Sequence, residues 1–176
     1  MDQTEPAMNT RLIVTAARKI EIREVSENPD IALVRELLHE YAAGIDVDLS
    51  FQDFTRELAE LPGEYAAPSG TVLLACVDDE PAGCVAVHRW ADGTCEMKRL
   101  FVRGSFRGLR LGERLARNAI DWASAHGYRH MLLDTLPSMS EARSLYARLG
   151  FEETAPYRVN PVVGTSFLKL ALSPSS

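Results

Sequence analysis

The sequence predicts a single α/β (α+β) domain in which a mixed, mostly antiparallel β-sheet is flanked by helices. Three observations carry that expectation. Short runs rich in β-formers alternate or stay apolar between turn residues, and longer stretches repeat apolar residues at helical spacing and stop at glycine. The chain has 176 residues with 46% hydrophobic content, enough for one core that buries about 70% of the unfolded surface. Residues 20–172 are read as the domain, 1–19 as a flexible N-terminal extension and 173–176 as a tail.

Taken in order, Ile20 to Val25 is the first strand expected. Asn28-Pro29 opens a helix whose apolar face is Ile31, Val34, Leu37, Leu38 and Tyr41, and Gly44 stops it. A shorter helix follows Ser50 with Phe54, Leu58 and Leu61 inward, ended by Pro62-Gly63. Thr71 to Val77 and Ala82 to Trp90 read as antiparallel neighbours, and Ala91-Asp-Gly93 turns into a further strand reaching Val102. Leu111, Leu115, Ala119, Trp122 and Ala123 define an amphipathic helix closed by Gly127. His130 to Leu136 is the next strand. Ser138-Met-Ser-Glu141 has capping-box spacing ahead of a helix carrying Ala142, Leu145, Tyr146 and Leu149, closed by Gly150. The tail adds Phe151 to Arg158, a connection through Asn160-Pro161 and Gly164, and a last strand from Ser166 to Leu172.

Composition excludes several classes. A formal net charge of -6 and a pI near 5.3 disfavour a broad nucleic-acid surface, so no nucleic-acid partner is expected. The apolar patch Leu12 to Ala17 is too short to span a bilayer, which gives no membrane partner and a cytoplasmic location as the default. Cys76, Cys84 and Cys95 lie in apolar strand-like runs and read as buried reduced thiols. Neither they nor His39, His88, His126 and His130 have metal-ligand spacing, so no metal is expected.

The most informative segment is Arg107, Gly108, Leu109, Arg110, Leu111 and Gly112, a glycine-bearing turn joining a strand to a helix start. A helix start leaves backbone N–H groups unpartnered and carries partial positive charge, so it suits a phosphate. With the later run Ala142, Leu145, Tyr146, Gly150 and Phe151, this turn resembles the GCN5-related N-acetyltransferase (GNAT) superfamily. That family's first motif reads Arg/Gln-x-x-Gly-x-Gly, and its later helix reads Asn-x-x-Ala-x-x-Leu-Tyr-x-x-x-Gly-Phe. Arg110 stands where the family usually has its middle glycine, and Met139 where it often has asparagine. A negative φ at Arg110 is the condition under which a non-glycine fits there without strain. The resemblance covers roughly Ile20 to Leu172.

The resemblance implies attack of an amine on the thioester of acetyl-CoA, with no metal. Arg107 to Gly112 are expected to surround the pyrophosphate with N–H groups, and Leu100, Phe101 and Val102 to align the pantetheine by main-chain hydrogen bonds. Tyr146 is the expected acid for the leaving thiolate, its alternative being core packing on an apolar stripe. Glu96, eleven residues before Arg107, is the expected base, as in histone-type members. The alternative for Glu96 is an ordinary surface pair with Lys98 or Arg99, and Asp134 is a second choice of base. Tyr41, Phe54, Tyr65, His88 and Trp90 are candidates either for the acceptor cleft or for the core. The expected acceptor is an amine of a small molecule or peptide, and a homodimer is compatible with this reading. A non-catalytic acyl-CoA sensor with the same fold remains the alternative.

Overall fold

The computed structural model describes residues 17–174; most of the 1–19 segment and the last two residues lie outside that range. A seven-stranded sheet comprises β1 (Ile20–Glu24), β2 (Thr71–Val77), β3 (Glu80–Ala91), β4 (Thr94–Val102), β5 (His130–Thr135), β6 (Glu152–Glu153) and β7 (Ser166–Ala171). Its order is β1-β2-β3-β4-β5-β7-β6. Every pairing is antiparallel except β4 with β5. The helices are α1 (Asn28–Gly44), α2 (Phe54–Glu60), α3 (Leu111–Ala125) and α4 (Ser140–Arg148).

β2 explains why the sheet is covered on both faces. All seven of its residues are buried, which requires apolar partners above and below. Leu73 and Ala75 join one cluster with Leu115, Ala119 and Trp122 of α3 and Tyr146 of α4. Val72, Leu74 and Cys76 join another with Val34, Leu37 and Leu38 of α1 and Phe54 and Leu58 of α2. Leu37 and Leu74 are fully enclosed, each worth roughly 1.5–3 kcal/mol of apolar burial. Cys76, Cys84 and Cys95 are free and buried, as the apolar runs around them suggested.

Three local expectations need revision. Ser138 does not cap α4: the helix begins at Ser140 with Met139 as its N-cap and no side-chain capping bond. Within the tail segment Phe151 to Arg158 only Glu152–Glu153 forms a strand, with one further main-chain bond from Thr154 N to Phe167 O. Arg110 has φ +57°, not a negative value. The N-cap of α3 is therefore left-handed, a conformation that favours glycine by about 1 kcal/mol or more.

Candidate active site

The site begins with a fault in the ladder between β3 and β4. Ala86 pairs with Lys98 but Cys84 pairs with Phe101, so one extra residue sits on β4. Arg99, at this bulge, has φ +60°, a costly conformation that its side chain helps to hold. Its buried guanidinium makes two bonds to Glu57 of α2, at 2.9 and 2.7 Å, and lies over the Phe54 ring. Tyr65 donates a further hydrogen bond to Glu57 at 2.6 Å. Despite burial, Arg99 holds the Glu57 carboxyl below its usual range. This network clamps α2 onto the bulge.

On its other edge β4 parts from β5 before the bulge, while β3 stays paired past it. The parallel pairing of β4 with β5 covers only Thr94–Glu96 against His130–Leu132, while β5 stays paired to β7 as far as Thr135. A cleft opens between the two strands, and Lys98, Leu100, Asp134, Thr135 and Tyr146 are among the residues that line it. The edge of β4 from Met97 to Val102 that faces β5 thus carries main-chain groups outside any ladder. Leu100 lines the cleft, Phe101 packs edge-on against Tyr41 at 6.0 Å, and Val102 leans on the core beside Phe106 and Leu111.

The strand then runs into the glycine turn. Among the described residues, no backbone carbonyl accepts from the N–H groups of Gly108, Leu109, Arg110, Leu111, Gly112 or Glu113; the first helical bond is from Arg114 N to Arg110 O. Gly108 turns the chain here at φ +89°, with open space where a Cβ would stand. Arg107 is exposed beside them. Arg110 reaches Glu113 at 2.8 Å, and Glu113 also holds Arg117. A row of unpartnered N–H groups at the head of a fifteen-residue helix is an arrangement that suits an anion.

Tyr146 sits on α4 at the wall of the cleft, only 7% exposed, with its ring edge-on to Phe151 at 5.6 Å. Its hydroxyl makes no hydrogen bond to the described residues. Burial, with Tyr41 and Asp134 adding to it, pushes its pKa well above the usual phenol range, so the hydroxyl keeps its proton. Asp134 accepts one hydrogen bond, from Asn160 Nδ2 at 3.1 Å. Thr135 Oγ1 is buried on the same wall with no partner.

Glu96 occupies a different place. It is 0% exposed, and it does not line the cleft. His88 Nε2 donates to it at 2.8 Å, Tyr157 at 2.6 Å, and Arg158 binds both of its oxygens. The pair with Lys98 or Arg99 weighed from the sequence is not formed. Burial opposes ionisation, yet the bonds from His88 and Tyr157 and the charge of Arg158 hold its carboxyl below the usual range. Arg158 in turn lies over the Trp90 ring at 4.8 Å. Glu96 therefore fastens the returning tail to the sheet. Of the aromatic candidates, Tyr41 lines the cleft, Phe54 and Tyr65 belong to the core, and His88 and Trp90 belong to the Glu96 cluster.

Sequence reasoning missed Lys98 and Thr135 as cleft residues. Strand alternation was the available signal for Lys98, since it shares a face with Glu96; the bulge that exposes it leaves no local mark. Among the described residues no group of three or more His, Cys, Asp or Glu is placed to hold a metal ion. Among them, too, no helix is long and apolar enough to cross a membrane.

Comparison with known proteins agrees with this geometry. Residues 32–151 match the profile of the acetyltransferase (GNAT) family. The chain is 39% identical over 156 residues to an uncharacterised N-acetyltransferase of Schizosaccharomyces pombe, covering 88% of this chain and 96% of that one. Its fold is similar to a GNAT-family acetyltransferase of Staphylococcus aureus, with TM-score 0.74 and 20% identity over 88% of this chain and 100% of the other. It is also similar to the Salmonella typhimurium protein yncA, solved with its cofactor acetyl-CoA, with TM-score 0.65 and 20% identity over 90% and 96% of the two chains. The helix-start donors, the split between β4 and β5 and Tyr146 thus stand in a chain that belongs to the acetyltransferase (GNAT) family, the acyl-CoA-dependent N-acetyltransferases.

Proposed function

We propose that the protein moves an acetyl group from acetyl-CoA to the amine of a small molecule or peptide by direct attack on the thioester, in the cleft between β4 and β5. The observation that carries the reading is the continuity of the unpartnered N–H row at Gly108–Glu113 with the unladdered edge of β4. The donors fit a diphosphate, because they lie at the positive end of a helix and have no backbone acceptor. The free β4 edge and the partnerless Thr135 hydroxyl suit the amide-bearing arm of the same molecule. Acetyl-CoA supplies the activated acyl carbon.

The protein's own groups supply proton handling and alignment. Asp134, half-buried and facing the cleft, takes the proton that an ammonium must lose before its nitrogen can attack. As the new C–N bond forms, main-chain donors of the β4 edge stabilise the carbonyl oxygen that gains charge. The C–S bond breaks with its electron pair going to sulfur, and Tyr146 gives that sulfur its hydroxyl proton. The surplus proton on the new amide nitrogen restores the phenol, and Asp134 releases to solvent the proton it took. Burial weakens Tyr146 as an acid, but the same cleft makes the departing thiolate more basic.

The test is acetyl-CoA-dependent release of free CoA thiol across a panel of amines, together with acetyl-CoA binding. Turnover with at least one amine is expected. Tight binding with no turnover of any amine would favour the sensor, and absence of acetyl-CoA binding would remove both readings.

A further inference from the structure

The wall of the cleft on the α1–α2 side is built by alternate residues of two neighbouring strands. Glu96 pairs with Leu132 at the last rung between β4 and β5, so Lys98 and Asp134, two residues further along each strand, lie on that same face and flank the opening. Lys98 still pairs with Ala86 before the bulge, which keeps its direction fixed.

Two of the acids on this side are paired within the protein. Glu57 is taken by Arg99 in a two-bond pair, and Glu96 is taken by Arg158. Both acids within reach of Lys98 are thus already committed to arginines, and Lys98 has no ion-pair partner among the described residues. Partly buried and lining the cleft, its ammonium makes no direct ion pair, and Asp134 faces it from the other side of the opening. Burial and the neighbouring Arg99 and Arg158 charges make the ammonium costly to keep, holding its pKa below the usual lysine range. A fold that only needed to fill this position would do better with an apolar residue. Across the opening, Asp134 offers a carboxylate whose protein partner is the neutral Asn160.

Building on the acetyl-transfer reading, we infer that the acceptor is a small amine that also carries a carboxylate, an amino acid or close analogue. Lys98 receives the carboxylate and Asp134 receives the amine. The two charges sit on opposite lips of the opening, so a zwitterion lying across it presents its nitrogen at the gap between the strands. A diamine or polyamine would place a cation against Lys98 and is disfavoured.

The experiment compares amino acids with their matched amides and decarboxylated amines, using wild-type protein and Lys98→Met, by kcat/KM for CoA release. Acetyl-CoA affinity and melting temperature are measured on both proteins. Wild type should favour carboxylate-bearing members by about tenfold to hundredfold over their amides, the range for a charge-assisted hydrogen bond. In Lys98→Met that ratio should fall toward one while acetyl-CoA affinity holds and the melting temperature rises. A rise in melting temperature without loss of the ratio would overturn the assignment, as would wild-type turnover of amides or diamines equal to that of amino acids. Acetyl-CoA binding with no turnover of any carboxylate-bearing amine would overturn it too. Failure to bind acetyl-CoA at all would instead remove the underlying acetyl-transfer reading.

Discussion

Replacing Glu96 by glutamine separates two roles that one carboxylate can play. In the structure Glu96 is wholly enclosed and is held by His88, Tyr157 and Arg158. The substitution keeps the shape but removes the charge, leaving the Arg158 guanidinium, 16% exposed in its side chain, without a counter-ion. Breaking a buried pair by removing one partner costs about 3–5 kcal/mol. For a domain of this size each kcal/mol moves the melting temperature by roughly 2–4 °C, so a loss of 3 kcal/mol lowers it by about 6–12 °C. The assay is a thermal melt followed by circular dichroism, with thiol-release kinetics measured well below the transition. If Glu96 fastens the tail, Glu96→Gln melts early and retains most of its kcat. An unchanged melting temperature with kcat reduced a hundredfold, and loss of the acid limb of the pH–rate profile, would refute this and restore Glu96 as the base.

Tyr146→Phe should lower kcat by about a hundredfold with acetyl-CoA affinity unchanged, because the phenol acts on the leaving sulfur; equal kcat in single-turnover experiments would remove that assignment. Gly112→Asp meets only Leu145 Cδ2 at 3.8 Å, so the fold accepts the side chain. The added charge beside the diphosphate should weaken acetyl-CoA binding by about tenfold or more, and undiminished affinity by calorimetry would contradict the placement. Arg110→Gly should stabilise by about 1 kcal/mol, since it relieves the left-handed N-cap at φ +57°. A lower melting temperature would show that Arg110 is not strained. For pH, Glu57 and Glu96 have folded pKa values below their usual 4.5. Their stabilisation is therefore complete above about that pH and is lost as pH falls through the lower folded values. Melting temperature should be flat from neutrality to about pH 5 and then drop, with a shallower drop in Glu57→Gln.

How much of this was legible in the sequence depends on the distance over which each feature is decided. β2 spans Thr71–Val77, the run that its apolar character outlined, and α3 begins at Leu111 and ends just before Gly127. These boundaries are set by neighbours a few residues away. The glycine turn was likewise readable, since its donors come from the backbone itself. Capping at Ser138 was not, because residues 136–139 form a turn closed from Met139 N to Leu136 O and the helix starts only at Ser140. The tether of Glu96 to Tyr157 and Arg158 joins residues 61 and 62 positions apart. Nothing local marks such a pairing, so the nearby Lys98 and Arg99 looked like the natural partners. Once the arginines are assigned by the fold, Lys98 is the group left over, and its freedom becomes visible only in three dimensions.

A crystal structure of the protein with acetyl-CoA tests the central claim most directly. The diphosphate is expected against the N–H groups of residues 108–113 and the thioester between β4 and β5, with its sulfur within hydrogen-bond reach of the Tyr146 hydroxyl. A diphosphate seated elsewhere, or a thioester out of reach of Tyr146, would contradict it.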